Sequence, residues 1–148
     1  MSALSLVWQH GLSFKSGPDA PPIELESSSP HILSPMQVLA YAIMGCMAMD
    51  LAHILEKGRH DLKALKVTFE SERAPEPPRR YTMVHLHFDV GTSAAQEVVE
   101  RALQLSHTKY CSVSNTLRPD LDFRTSVTIT PAWPAAPTST GSAASRSW

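Results

Sequence analysis

From Ser34 to Lys57 the sequence SPMQVLAYAIMGCMAMDLAHILEK reads as one helix with apolar residues on every side of its axis. Its start is marked three times over: Ser34 suits the N-cap, Pro35 the first helical position, and Gln37 completes a capping box. Gly58 supplies the stop as a C′ residue, giving about 23 residues, or ~35 Å at 1.5 Å per residue. Met36, Val38, Leu39, Ile43, Met44, Met47, Met49, Leu51, Ile54 and Leu55 point all round this rod. A helix of that kind has to be covered from several directions. A chain of 148 residues has enough hydrophobic content, 43%, for one core, but covering such a helix alone is difficult. A homodimer sharing its core is therefore expected. The longest apolar run, Val38 to Met49, is shorter than the ~20 residues of a membrane span, so the helix reads as core and no membrane is expected.

The flanking segments read as strands and one further helix. In LSLVWQHGLSFK, Leu4, Leu6 and Trp8 share a face and His10-Gly11 supplies a turn before Leu12 and Phe14, which predicts a hairpin. IELES adds a third short strand after the Pro21-Pro22 break. Beyond the long helix, Leu65 to Glu70 and Tyr81 to Val90 alternate, joined by the proline-rich loop APEPPRR. In the second of these, Val84, Leu86, Phe88 and Val90 face inward, leaving Met83, His85, His87 and Asp89 outside. Ser93 to Gln96 forms a second capping box, opening an amphipathic helix through Leu105 with Ala95, Val98, Val99 and Ala102 as its packed stripe. Phe123, Thr125, Val127 and Ile129 share a face of a last strand. From Pro131 onward the tail is Pro, Ala, Ser and Thr and is expected to be disordered, which leaves 1–130 as one domain. The order βββ-α-ββ-α-β, rich in hairpins, predicts an α+β fold with a mainly antiparallel sheet and a long buried central helix.

Charge names no partner. Lys plus Arg number 13 against 14 for Asp plus Glu, and no basic-aromatic stripe is present, which argues against nucleic acid. There is no glycine-rich phosphate loop and no zinc-type cysteine cluster, so no cofactor is expected. MSALSLVWQH has neither the basic n-region nor the long apolar h-region of a secretory signal, and a cytoplasmic location is expected. In that reducing compartment the only two cysteines, Cys46 and Cys111, read as free buried thiols, a metal site or a reversible redox pair. They lie 65 positions apart, so only tertiary packing can bring them together.

The wording around those cysteines narrows the choice. Ser34-Pro35-Met36, Gly45-Cys46-Met47-Ala48-Met49-Asp50, Phe88-Asp89-Val90-Gly91, Ala102-Leu103 and Lys109-Tyr110-Cys111-Ser112-Val113-Ser114 together resemble the OsmC/Ohr family. The resemblance runs from about Leu4 to Ile129 and is closer to the general OsmC-like branch than to the organic-hydroperoxide-resistance branch, where the second cysteine typically sits in valine-cysteine-proline. It implies an intertwined homodimer with long central helices between sheets and active sites at the interface. It also implies reduction of hydroperoxides: a thiolate attacks the peroxide, becomes a sulfenic acid, and is resolved by the second cysteine as a disulfide that an external dithiol reduces. By position Cys46 resembles the peroxidatic residue and Cys111 the resolving one.

Two positions depart from that pattern. Active members carry a glutamate ten residues before the first cysteine, where this chain has Met36, and an arginine from the N-terminal region, whereas no arginine precedes Arg59. A mid-helix cysteine gains little from the helix dipole, so the missing cation matters for thiolate formation. The departure motivates a second expectation, a non-enzymatic dimer that binds an apolar small molecule or senses redox state. Gln37 reads as the capping residue, Asp50 as structural although one turn from Cys46, His53 as too distant for a dyad, and Lys109 as a solvated surface lysine. His85 and His87 share a strand face at a spacing compatible with half a metal site, but no further ligand is evident and they read as exposed sheet surface.

Overall fold

Ser34 begins the long helix as its side chain dictates. Its Oγ accepts the backbone N–H of Gln37 at 3.3 Å, and the Gln37 side-chain oxygen accepts the Ser34 N–H at 2.9 Å, so two otherwise orphaned donors are satisfied reciprocally. The structure, a computed structural model, describes residues 3–131, so the tail beyond Pro131 lies outside the described residues. The helix, α1, spans Pro35–Lys57. Before it come β1 (Leu6–His10), β2 (Ser13–Ser16) and β3 (Glu24–Glu26), forming an antiparallel sheet in the order β1-β2-β3. Trp8 faces Phe14 across the hairpin, and Gly11 turns the chain at φ +48°, a conformation that suits glycine.

After α1 run β4 (Ala64–Arg73), β5 (Tyr81–Gly91), the helix α2 (Gln96–Leu105), a π-helical turn over Ser106–Tyr110, the short helix α3 (Ser112–Thr116) and β6 (Asp122–Ile129). The second sheet has the order β4-β5-β6. β4 and β5 pair antiparallel, whereas β6 returns through α2 to lie parallel to β5, with Val84 opposite Phe123 and Val90 opposite Ile129. The fold is α+β, with one parallel pairing in otherwise antiparallel sheets.

The core forms where α1 meets β5 and α2. Ile43, Met47, Leu51 and Leu55, one per turn, close on Val84, Leu86, Phe88 and Val90, with Val99, Ala102 and Leu103 completing the cluster. Each fully buried side chain of this size is worth roughly 1.5–3 kcal/mol in transfer from water. Only one side of α1 is buried within the chain: Tyr41 is 60% and Met49 74% exposed on the other. By length and composition the whole helix, at 23 residues, does reach a membrane span, since Asp50 and His53 interrupt an apolar run without interrupting the helix. Its buried stripe shows what that apolarity does here, packing the sheet.

Three local expectations are corrected. The capping box at Ser93 to Gln96 does not form: α2 starts at Gln96 with Ala95 as an uncapped N-cap, because Ser93 turns to the Asp61 carboxylate and the Gln96 amide donates to Glu100 at 2.8 Å. Gly58 has φ −76°, and the left-handed residue ending α1 is Arg59, at φ 58°. Ala95 is exposed, its place in the packed stripe taken by Leu103.

Candidate functional site: two thiols and a carboxylate

Cys111 is placed by a change of helical pitch. Where α2 ends, the chain continues in wider π-type turns, and the Cys111 N–H reaches back to the Ser106 carbonyl at 2.7 Å. Such π segments recur at functional sites because they redirect one side chain without ending the rod. Cys111 itself is extended and caps α3, its Sγ accepting the Ser114 N–H at 3.3 Å. The result points the thiol at α1, fully buried.

On α1, Cys46 and Asp50 are four residues apart and so share a face. The Cys46 sulfur, the Cys111 sulfur and an Asp50 carboxylate oxygen all lie within 4.8 Å of one another. Both cysteines are free thiols, Cys46 being partly exposed. Ser106 ties the group together: its Oγ donates to Asp50 Oδ2 at 2.7 Å while its carbonyl holds the Cys111 amide. Burial first, and then hydrogen bonding with Cys46, raise the Cys111 thiol above its ordinary pKa, against the opposing Ser114 hydrogen bond.

Folding thus brings together the two cysteines the sequence singled out, across 65 positions. It also brings in Asp50, read from sequence as structural, and Ser106, which sequence reasoning passed over. Asp50 carried a signal in its i,i+4 spacing to Cys46; Ser106 carried none, since its position depends on the π turn. No cation joins them: among the described residues Asp50 makes no ion pair, and Lys109 Nζ lies 5.4 Å above the Tyr110 ring. His53 is exposed, and Gln37 is the capping residue.

Met36, ten residues before Cys46, lines a cavity of about 220 Å³ with Leu39, Ile43, Tyr81, Leu117 and Leu121, mostly apolar but lined also by Arg80 and Arg118; its carbonyl accepts the Tyr81 hydroxyl at 2.8 Å. A neighbouring groove shares Leu39 and Leu117 and runs along Ala42, Ser112 and Val113 beside the cysteine-bearing segments. His85 and His87 occupy the outer face of the second sheet. His85 Nε2 and His87 Nδ1 each lie 2.7 Å from Ser126 Oγ, and Glu70 and Asp89 stand 3.4 Å from the remaining nitrogens. They are engaged with their sheet neighbours, far in sequence and on the opposite face from the core.

The family model described as OsmC-like protein matches residues 28–126. Protein YhfA of Escherichia coli K12 is 38% identical over 119 residues, covering 72% of this chain and 82% of that protein. The solved structure of a hypothetical protein from Aquifex aeolicus VF5 superposes with a TM-score of 0.80 at 25% identity, over 88% of this chain and 96% of the other. The organic hydroperoxide resistance protein OsmC from Legionella pneumophila shares the fold, with a TM-score of 0.67 at 18% identity over 86% and 97% of the two chains. This chain, with a cysteine of its long helix brought close to a second after α2, belongs to the OsmC-like protein family.

Proposed function

We propose that the protein is a thiol-dependent reductase of organic hydroperoxides, working in the cytosol as a homodimer with Cys46 as attacking and Cys111 as resolving residue. The observation that carries this reading is the asymmetry of a close pair. Cys46 is partly exposed beside an apolar groove, whereas Cys111 is buried, and that burial raises its thiol above the ordinary range. An attacker needs access and ionisation; a resolver needs proximity.

The cycle balances as follows. The Cys46 thiolate attacks the outer peroxide oxygen, the O–O bond breaks, and the alcohol leaves after taking up a proton, with Cys46 now a sulfenic acid. Cys111 sulfur attacks that sulfur, water departs, and a disulfide joins the two. An external dithiol then reduces the disulfide by exchange and is itself oxidised. The sulfurs need to close from within 4.8 Å to about 2.05 Å, a local adjustment of the π turn. The dimer is supported by the apolar residues the chain leaves uncovered on α1 and on β1, among them Tyr41, Met49, Leu6 and Trp8.

The test is dithiol-dependent turnover of cumene hydroperoxide by wild type and by Cys46→Ser. Wild type is expected to turn over, and the variant to lose at least 100-fold, on the order of the ~10²–10⁴ contributed by a single catalytic group. Equal rates, or no rate with wild type, remove the catalytic reading. A second reading, a non-enzymatic dimer holding a largely apolar small molecule, is favoured by one feature: Met36, Leu39, Ile43 and Tyr81 give the cavity a mainly apolar lining, with Arg80 and Arg118 as its charged groups. Alkylation of Cys46 at the slow rate of an ordinary thiol, with pKa about 8.5, supports that reading instead.

A further inference from the structure

The convergence of donor groups around the cysteines suits a metal ion. Two sulfurs and a carboxylate converge within 4.8 Å, and among the described residues no lysine, arginine or histidine pairs with that carboxylate. Three potential ligand atoms from two separate segments of the chain thus face one point, as a bound cation requires, and the donor set says which kind. Two soft sulfurs with one carboxylate oxygen suit zinc-like ions and exclude magnesium or calcium, which take oxygen shells.

We propose that the reduced protein binds one thiophilic divalent cation of the zinc type through Cys46 Sγ, Cys111 Sγ and an Asp50 carboxylate oxygen. The inference rests on the preceding reading only in taking the dithiol as the resting form. Ligand separations fit: about 2.3 Å to each sulfur and about 2.0–2.2 Å to the oxygen around a tetrahedral ion place the ligand atoms slightly under 4 Å apart, a small contraction from the observed limit. Hydrogen bonds behind the ligands are already made. Ser106 Oγ fixes Asp50 through Oδ2, and the Ser114 N–H points at Cys111 Sγ, where it stabilises a metal-bound thiolate. A fourth position is left for water.

Binding replaces two S–H bonds with two metal–sulfur bonds and releases two protons to solvent. Because both thiols are consumed, metal and disulfide exclude each other. Occupancy therefore shields the pair from peroxide, and oxidation expels the ion.

The test is titration of the reduced, chelator-treated full-length protein with Co²⁺ under anaerobic conditions, followed by displacement with Zn²⁺ against a chromogenic chelator. One equivalent per chain is expected, with a thiolate-to-cobalt charge-transfer band that Zn²⁺ abolishes. Asp50→Asn should keep the band but weaken binding by at least tenfold, and disulfide-oxidised wild type, which needs no substitution, should bind nothing. Equal binding by oxidised and reduced protein, or a cobalt spectrum without the thiolate band, overturns the proposal. Peroxide turnover without metal uptake would sink the metal site and leave the redox reading; metal uptake without turnover would do the reverse.

Discussion

The two sheets of this chain are built to opposite standards. The β4-β5-β6 sheet supplies Val84, Leu86, Phe88 and Val90 to the core at zero exposure, with α1 and α2 sealing them. The β1-β2-β3 sheet contributes nothing to that cluster, and Leu6, Val7, Trp8 and Leu12 stay exposed around it. The first is held by burial, the second by backbone pairing and a few side-chain bonds such as Trp8 Nε1 to the Gly11 carbonyl. A small three-stranded sheet with no covered apolar face has little independent stability. The difference teaches that the N-terminal sheet leaves its apolar side chains uncovered within this chain, the surface the proposed dimer would use.

The largest way to break the comparison is Phe88→Ala. Phe88 is the largest fully buried side chain, and its truncation should cost about 3–5 kcal/mol, read as a shift of the urea midpoint. A loss below about 1 kcal/mol would mean the second sheet is not the stabilising half. Next is Trp8→Ala. In an isolated chain removing an exposed Trp should barely move stability, within about 0.5 kcal/mol. In the proposed dimer it removes an aromatic anchor worth about 2 kcal/mol or more, so the dimer dissociation constant should rise at least ~30-fold by sedimentation. An unchanged association constant would detach the N-terminal sheet from the interface.

The same contrast explains what could be read in the residues. α1 was legible to the residue at its start because Ser34, Pro35 and Gln37 act locally, within one turn. β5 was legible because its alternation matches a sheet covered on one face. The meeting of Cys46 and Cys111 was legible only through the family wording around them, since nothing in a 65-residue separation encodes contact. The π turn and α3 escaped because five-residue segments are too short to show a period. Ser93 misled because its capping signal was outcompeted by Asp61, 32 positions away. One-sided burial of α1 could not be read from a pattern apolar all round, which says that cover is needed without saying whose.

The smallest effect separates the two sheets by pH. Asp61, just before β4, accepts the Ser93 N–H at 2.9 Å and the Ser93 hydroxyl, and has Lys63 at 3.6 Å, so its carboxyl is lowered to about 2. Ser93 is the dominant cause. A folded pKa below the unfolded value of about 3.9 stabilises the fold above that value, and the contribution is lost as pH falls towards 2. Asp61→Asn should therefore unfold at lower urea than wild type at pH 6, with the gap narrowing below pH ~4 and closing near pH ~2. On the N-terminal sheet the exposed Lys15–Glu24 pair, at 3.7 Å, predicts the contrary: Lys15→Met should leave the midpoint within about 0.5 kcal/mol. A carboxylate clamped by backbone and hydroxyl donors stabilises the sheet it joins, whereas a solvated pair on the exposed sheet does not. If the Asp61→Asn gap persisted undiminished at pH 2, the clamp would be acting through shape rather than charge.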